Sequence, residues 1–202
     1  MIQILNSNLL AKFVKKLIWF TTTVIMFVVF FVPAILAMGI KLIPGADQPG
    51  YNSDQRLSIY RDRVITQQFV SKDANLSAIG TSIRNPNLKN KKEIILTLFN
   101  KKMETVRTVV INGQNVEDGI FIKFIFDPIP DSANTTYFFT LASPDAGPEE
   151  TIEVFYTETM PSWIEQYSYD KNAYPGGLPI VLYFKPGSKV GVIKEIYSNL
   201  FS

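Results

Sequence analysis

Apolar and polar positions in this chain follow two patterns, one at each side of residue 41. Residues 17–40, LIWFTTTVIMFVVFFVPAILAMGI, run for 24 positions without a charge. A helix of that length reaches roughly 36 Å, enough to cross a hydrocarbon core of about 30 Å with some tilt. Leu17, Trp19, Phe27, Phe31 and Pro33 are its anchor residues: Trp19 sits where an amphipathic ring suits the interface, and Pro33 kinks such a helix without excluding it. From residue 64 the pattern changes to period two. VITQQFVS (64–71), LSAIGTSIRN (76–85), EIILTLFN (93–100), TVRTVVI (105–111), GIFIKFIFDPI (119–129), NTTYFFTLAS (134–143), TIEVFYTET (151–159) and LPIVLYFKPG (178–187) alternate and are separated by Gly, Pro, Asn and Asp turns. About eight short strands with no helix between them predict a mainly β fold, an antiparallel sandwich of jelly-roll type.

The segments between divide the chain further. Residues 1–16 form a short basic tail, 17–40 the transmembrane helix, 41–63 a turn-rich spacer, 64–186 the sandwich and 187–202 a C-terminal tail. Within the spacer, residues 57–64 read as a short helix or an irregular lead-in. The tail places Val190, Ile193, Tyr197 and Leu200 near helical spacing, which predicts a short amphipathic helix. The stretch PSWIEQYSYDKNAYPGG (161–177) reads as a loop, yet it holds four large rings.

Charge sharpens this division. Three of the 20 basic side chains, Lys12, Lys15 and Lys16, lie in residues 1–40 with no acid, which leaves 17 against 18 acidic groups and a net of −1 for the remainder. The basic cluster before the apolar run outweighs the single Lys41 after it, so the N-terminus is expected in the cytoplasm and the β-domain outside the cell membrane. A cleaved signal peptide is the alternative, with small residues at Ala37 and Gly39, although the run exceeds the usual h-region. A near-neutral domain lacks the electrostatic footprint of nucleic-acid binding. The expected partners are the lipid bilayer and envelope glycans or other membrane proteins, with self-association open.

The chain has no cysteine and no histidine. That excludes disulfides, thiolate nucleophiles, Ser-His-Asp catalysis and every imidazole- or thiolate-ligated metal. No cofactor is expected. Carboxylate chemistry stays open in principle, but nothing pairs Glu149, Glu150, Glu153, Glu158, Glu165 and Asp170 across a cleft as glycoside hydrolysis demands. No Ser-x-Met-x-Pro motif follows the apolar run either, so the expectation is a non-catalytic protein. In FDPIPDS, Asp127 and Asp131 are weak candidates for a hard cation, and a turn capped by Asp131-Ser132 explains the same residues.

Gln68-Phe69, Asn75-Leu76-Ser77-Ala78-Ile79, FIFDPIPDSANTTYFFTLASP and Tyr174-Pro175-Gly176-Gly177 occur in that order. In this the chain resembles the extracytoplasmic, carbohydrate-binding-module-like jelly-roll domains of bacterial membrane proteins, often found with envelope glycosyltransferases. The matching positions are Phe69, Leu76, Ile79, Phe124, Phe126, Pro128, Ile129, Asp131, Ser132, Tyr137, Tyr174 and Gly177, over roughly residues 64–186. It departs in having one apolar span, no enzymatic domain, and Val181-Leu182-Tyr183-Phe184 at its last strand. The resemblance implies a jelly roll in the cell envelope and, through it, a binding or accessory role related to glycans. A structural subunit of a membrane assembly is the alternative.

The candidate ligand-binding residues are Trp163, Tyr167, Tyr169 and Asp170, flat rings beside a carboxylate and the amides of Gln166 and Asn172. Two other roles fit the same rings: a cover for the open end of the core, with Trp163 and Tyr167 on one helical turn, or an anchor for a protein partner. The turn around Gly176-Gly177 is expected to serve the fold.

Overall fold

The computed structural model describes residues 2–45 and 55–201. It divides into two compact units, Met1–Lys41 with Pro186–Ser202, and Leu42–Lys185. Strand exceeds helix, 42% against 27%, so the protein is mainly β.

The first unit is a pair of helices, α1 (Ile2–Gly39) and α2 (Lys189–Phe201). Helix α1 begins upstream of the uncharged run and continues through it; Leu10–Gly39 is long and apolar enough to cross a membrane. Its last carbonyls have no intrahelical partner. The Lys189 ammonium of α2 donates to the carbonyls of Ile40 at 2.7 Å, Ala37 at 2.9 Å and Met38 at 3.4 Å. Against expectation, Val190 points outward and Val192 is the buried valine of α2. The geometry explains this, because α2 meets a single neighbouring helix and needs only a narrow apolar face.

The second unit is the sandwich, built of twelve strands among the described residues: β1 (Ile43–Pro44), β2 (Arg56–Ile59), β3 (Ile65–Ser71), β4 (Leu76–Arg84), β5 (Glu93–Phe99), β6 (Thr105–Asn112), β7 (Ile120–Ile129), β8 (Thr135–Ala142), β9 (Ile152–Phe155), β10 (Ile164–Tyr169), β11 (Asn172–Tyr174) and β12 (Val181–Phe184). One sheet has the order β1-β12-β4-β9-β2, with β7 on the other edge of β4; the other has the order β11-β10-β3-β8-β5-β6. Every pairing is antiparallel. The pairs β5/β6, β4/β7, β3/β8 and β1/β12 nest inside one another, so the domain is one long β-ribbon rolled into two facing sheets. That nesting is the jelly roll. Seven of its eight strands are those that alternation predicts. The eighth, β1, is two residues long and begins beyond the apolar run, so the sandwich starts at residue 43 rather than 64. Residues 56–59, read as a helix or lead-in, form β2 instead, because pairing with β9 supplies their ladder.

Alternation turns Ile65, Phe69, Ile79, Leu96, Phe124, Phe139 and Leu141 into the core, and a register irregularity between Leu76 and Ala78 brings Leu76 in with them. At one end of the sandwich the buried Asn85 and Asn90 hold three loops together. The Asn85 amide donates to the carbonyls of Asn90, Gly113 and Val116, and Asn90 donates to Glu150 and Ser143. Unpaired, these buried amides would cost stability; fully satisfied, they fix the loops. At the opposite end the Ser132 hydroxyl donates to the Asp73 carbonyl and accepts from the Leu76 N–H. Of the expected Asp131-Ser132 cap, it is Ser132 that locks the turn through its side chain.

Candidate functional site

The aromatic stretch is not a loop. Pro161 to Ile164 forms a turn, after which β10 and β11 make a hairpin on the edge of β3. Its two-residue connection, Asp170-Lys171, has φ of 50° and 66°. Two left-handed residues between paired strands match the right-handed twist of a hairpin, although Asn-Gly is the usual pair there. The helical turn expected for Trp163 and Tyr167 is thereby replaced by extended chain.

Trp163 is 5% exposed and Tyr167 2% exposed, both within the main core. Most of both rings is spent on the core. Tyr167 lies between Tyr156, 6.3 Å away, and its cross-strand neighbour Tyr174, stacked at 5.8 Å. Burial first, then the neighbouring Tyr156, Tyr174 and Glu158, push the Tyr167 phenol up to about 12. The half-buried Tyr169 donates to the Ser58 carbonyl at 2.7 Å and accepts from Arg63 at 3.1 Å; burial raises its phenol against the opposing pull of Arg63. Asp170 pairs with Arg63 at 3.5 Å. Of the four rings, Tyr174 is the exposed one, at 44%. The turn after it is steric: a Cβ on Gly176, at φ +89°, would lie 2.1 Å from the Thr157 carbonyl oxygen.

Trp163 also lines a small cleft of about 210 Å³ with Val70, Lys72, Asp73, Leu182 and Phe184. Asp127 and Asp131 both lie on the surface. Among the described residues no group of three or more His, Cys, Asp or Glu could hold a metal ion. Several of the carboxylates open to acid–base work are engaged singly: Glu150 caps the Gly147 N–H, Glu153 pairs with Arg56 and Arg84, and Glu165 accepts from Gln68.

The hairpin widens the sheet to which β3 belongs, and the registers across its outer face align chemically similar residues. Ser168 opposes Thr66, Thr66 opposes Thr140, Thr140 opposes Thr97, and Thr97 opposes Thr108. Five hydroxyls thus stand in one row across β10, β3, β8, β5 and β6. At about 4.8 Å per strand the row extends roughly 19 Å. Their inward neighbours Tyr167, Leu141, Leu96 and Phe139 are buried, so the row faces out. The next row is Gln166, Gln68, Phe138, Phe99 and Thr105. Neither row contains a charged side chain. Between the two rows a depression of about 240 Å³ is lined by Thr66, Gln68, Met103, Phe138, Gln166, Tyr167 and Ser168.

Threonine suits strands, and paired threonines stabilise them. Those facts explain single positions but not five in register. Among the described residues, no intramolecular hydrogen bond occupies the hydroxyls of Thr66, Thr97, Thr108, Thr140 or Ser168. Each is available as one donor and two acceptors. Sequence reading missed this face because no strand alone shows it: the row exists only once five strands are paired. Compared with protein-family models and with curated proteins, the chain gives no match.

Proposed function

We propose that this chain is a membrane-anchored, non-catalytic binding module of a bacterial cell envelope, holding its jelly roll outside the membrane and its N-terminus in the cytoplasm. The anchor rests on the apolar helix, and the orientation on Lys12, Lys15 and Lys16 against Lys41. The resemblance to envelope jelly-roll domains points the same way. The single observation that carries the binding role is the row of five free hydroxyls beside an uncharged row of amides and phenyl rings. Such a face matches an extended, neutral, polyhydroxylated polymer, whose hydroxyls exchange hydrogen bonds with the threonines while its C–H faces rest on Phe138 and Met103. The binding surface moves accordingly from Trp163, Tyr167, Tyr169 and Asp170 to the threonine row.

The test uses the full chain in lipid nanodiscs against neutral envelope polysaccharides and purified peptidoglycan. Binding is expected, and the Thr97→Val/Thr140→Val variant weakens it by about tenfold, the effect of one or two lost hydrogen bonds. Failure to bind any of these polymers, or equal binding by the variant, rejects the glycan reading.

The reading as a structural subunit has its own observation. On the outer face of the other sheet, Ile125 is 58% and Phe121 41% exposed, beside Ala78, Val181 and Tyr183. That face suits a protein partner, and a stable complex in mild detergent that Ile125→Ser dissolves would favour it.

A further inference from the structure

The lysines that precede the apolar run carry more order than their count. Lys12, Lys15 and Lys16 are the only charged residues of α1, and residues 1–39 hold no acid. At about 100° per residue the three fall, with Trp19, inside an arc of about 100°. Leu10, Phe13, Val14, Leu17 and Ile18 fill the remainder of those turns. All four side chains of the arc are exposed, Trp19 at 73%, and with Phe13 they line one open groove. Among the described residues no intramolecular hydrogen bond or ion pair engages the three ammoniums or the indole N–H. The arc therefore offers donors and no acceptor. Ammoniums three and four residues apart on a helix repel one another, a cost that a bound anion removes.

Resting on the reading of α1 as a membrane anchor, we infer that Lys12, Lys15, Lys16 and Trp19 form a binding site for the phosphate of a multiply charged anionic lipid headgroup. Orienting a spanning helix needs basic residues on one side of the membrane and is indifferent to which face of the helix carries them. A single face is what a discrete ligand requires. Three positive charges within two turns are matched by a phosphomonoester or by two phosphates, whereas a singly charged headgroup leaves them in excess. Depth agrees with a headgroup. The lysines occupy about 6 Å of helix, close to the 5–7 Å or so that headgroups add on each side of the hydrocarbon core. Trp19 lies about 4.5 Å further along, at the boundary where indole rings settle, and its N–H can donate to the same phosphate.

The test reconstitutes the full chain in phosphatidylcholine vesicles that contain a minor fraction of one brominated lipid: phosphatidic acid, phosphatidylglycerol or phosphatidylcholine. Quenching of tryptophan fluorescence reports each lipid at Trp19, while Trp163, buried in the sandwich, gives a constant background. Phosphatidic acid, a phosphomonoester, is expected to reach half-quenching at a mole fraction about tenfold lower than phosphatidylcholine and several-fold lower than phosphatidylglycerol. The decisive variant exchanges neighbours, Lys12→Phe with Phe13→Lys and Lys15→Val with Val14→Lys. It keeps composition and charge but moves two ammoniums off the arc. Its preference for phosphatidic acid should fall to the level of phosphatidylglycerol. Equal preference by the native and exchanged chains, when both resist carbonate extraction, overturns the site and leaves the anchor standing. Equal quenching of the native chain by all three lipids does the same. Release by carbonate overturns both. Relief of quenching by millimolar inorganic phosphate at constant ionic strength overturns a lipid as the source of the phosphate.

Discussion

The two outer faces of the sandwich are made by the same alternation and have opposite chemistry. On the sheet containing β3, the outward row is Ser168, Thr66, Thr140, Thr97 and Thr108; on the other, Ile125 opposes Ala78, which opposes Tyr183. In the first, no hydroxyl of the row is taken up by an intramolecular hydrogen bond among the described residues. In the second, apolar groups cover one another: Phe121 lies over Gly80, where a Cβ would stand 2.5 Å from its ring, and the Lys123 ammonium sits 4.3 Å over the Tyr183 ring. Period two dictates which residues point outward. What they can recognise depends on which residues the pairing sets side by side.

The layer shared by both faces is where the largest effect is expected. Phe139 lies fully buried behind the threonine row, tilted 6.1 Å from Phe69. Phe139→Ala should cost about 3–5 kcal/mol and lower the thermal midpoint sharply, because the cavity beneath β8 cannot collapse between two paired strands. Unchanged thermal unfolding would mean the faces do not depend on this core. A high-pH effect comes next. The Tyr167 phenol is raised to about 12 in the folded protein, so between the ordinary tyrosine value near 10 and about 12 the unfolded chain releases a proton that the folded chain keeps. Stability from this group is intact below about pH 10 and lost as pH rises through about 12. Tyr167→Phe should flatten that alkaline decline in a denaturant titration; an identical decline would place the titration elsewhere.

The smallest change sharpens the comparison most. Ile125→Ser on the apolar face should alter stability by less than about 0.5 kcal/mol and leave polysaccharide binding unchanged, while Thr97→Val/Thr140→Val weakens that binding. If Ile125→Ser abolishes polymer binding, the two faces are not separate surfaces.

Legibility in the sequence followed local physics. The uncharged run and the seven strands of the roll were visible because burial on one face forces period two, and exclusion from water on every side forces an unbroken apolar stretch. The hairpin of β10 and β11 was obscured by its turn, where Asp170-Lys171 stands in place of a glycine-containing pair. Strand β1 was invisible for lack of length. Trp163 and Tyr167 read equally well as surface or core, since an aromatic ring next to polar residues has the same sequence signature in both places. Burial turned them inward, and the widened sheet displayed threonines that had read only as strand formers.

By itself, then, the sequence determined the apolar helix, the rolled sandwich and the exclusion of cysteine and histidine chemistry, because each follows from composition or from period along a single segment. Only the tertiary structure decided that five hydroxyls share a row, that Gly80 makes room for Phe121, and that Lys189 takes the carbonyls of Ala37 and Ile40. Those pairings join residues far apart in sequence, and hydrogen-bond register and helix packing set them, neither of which is written in any local pattern.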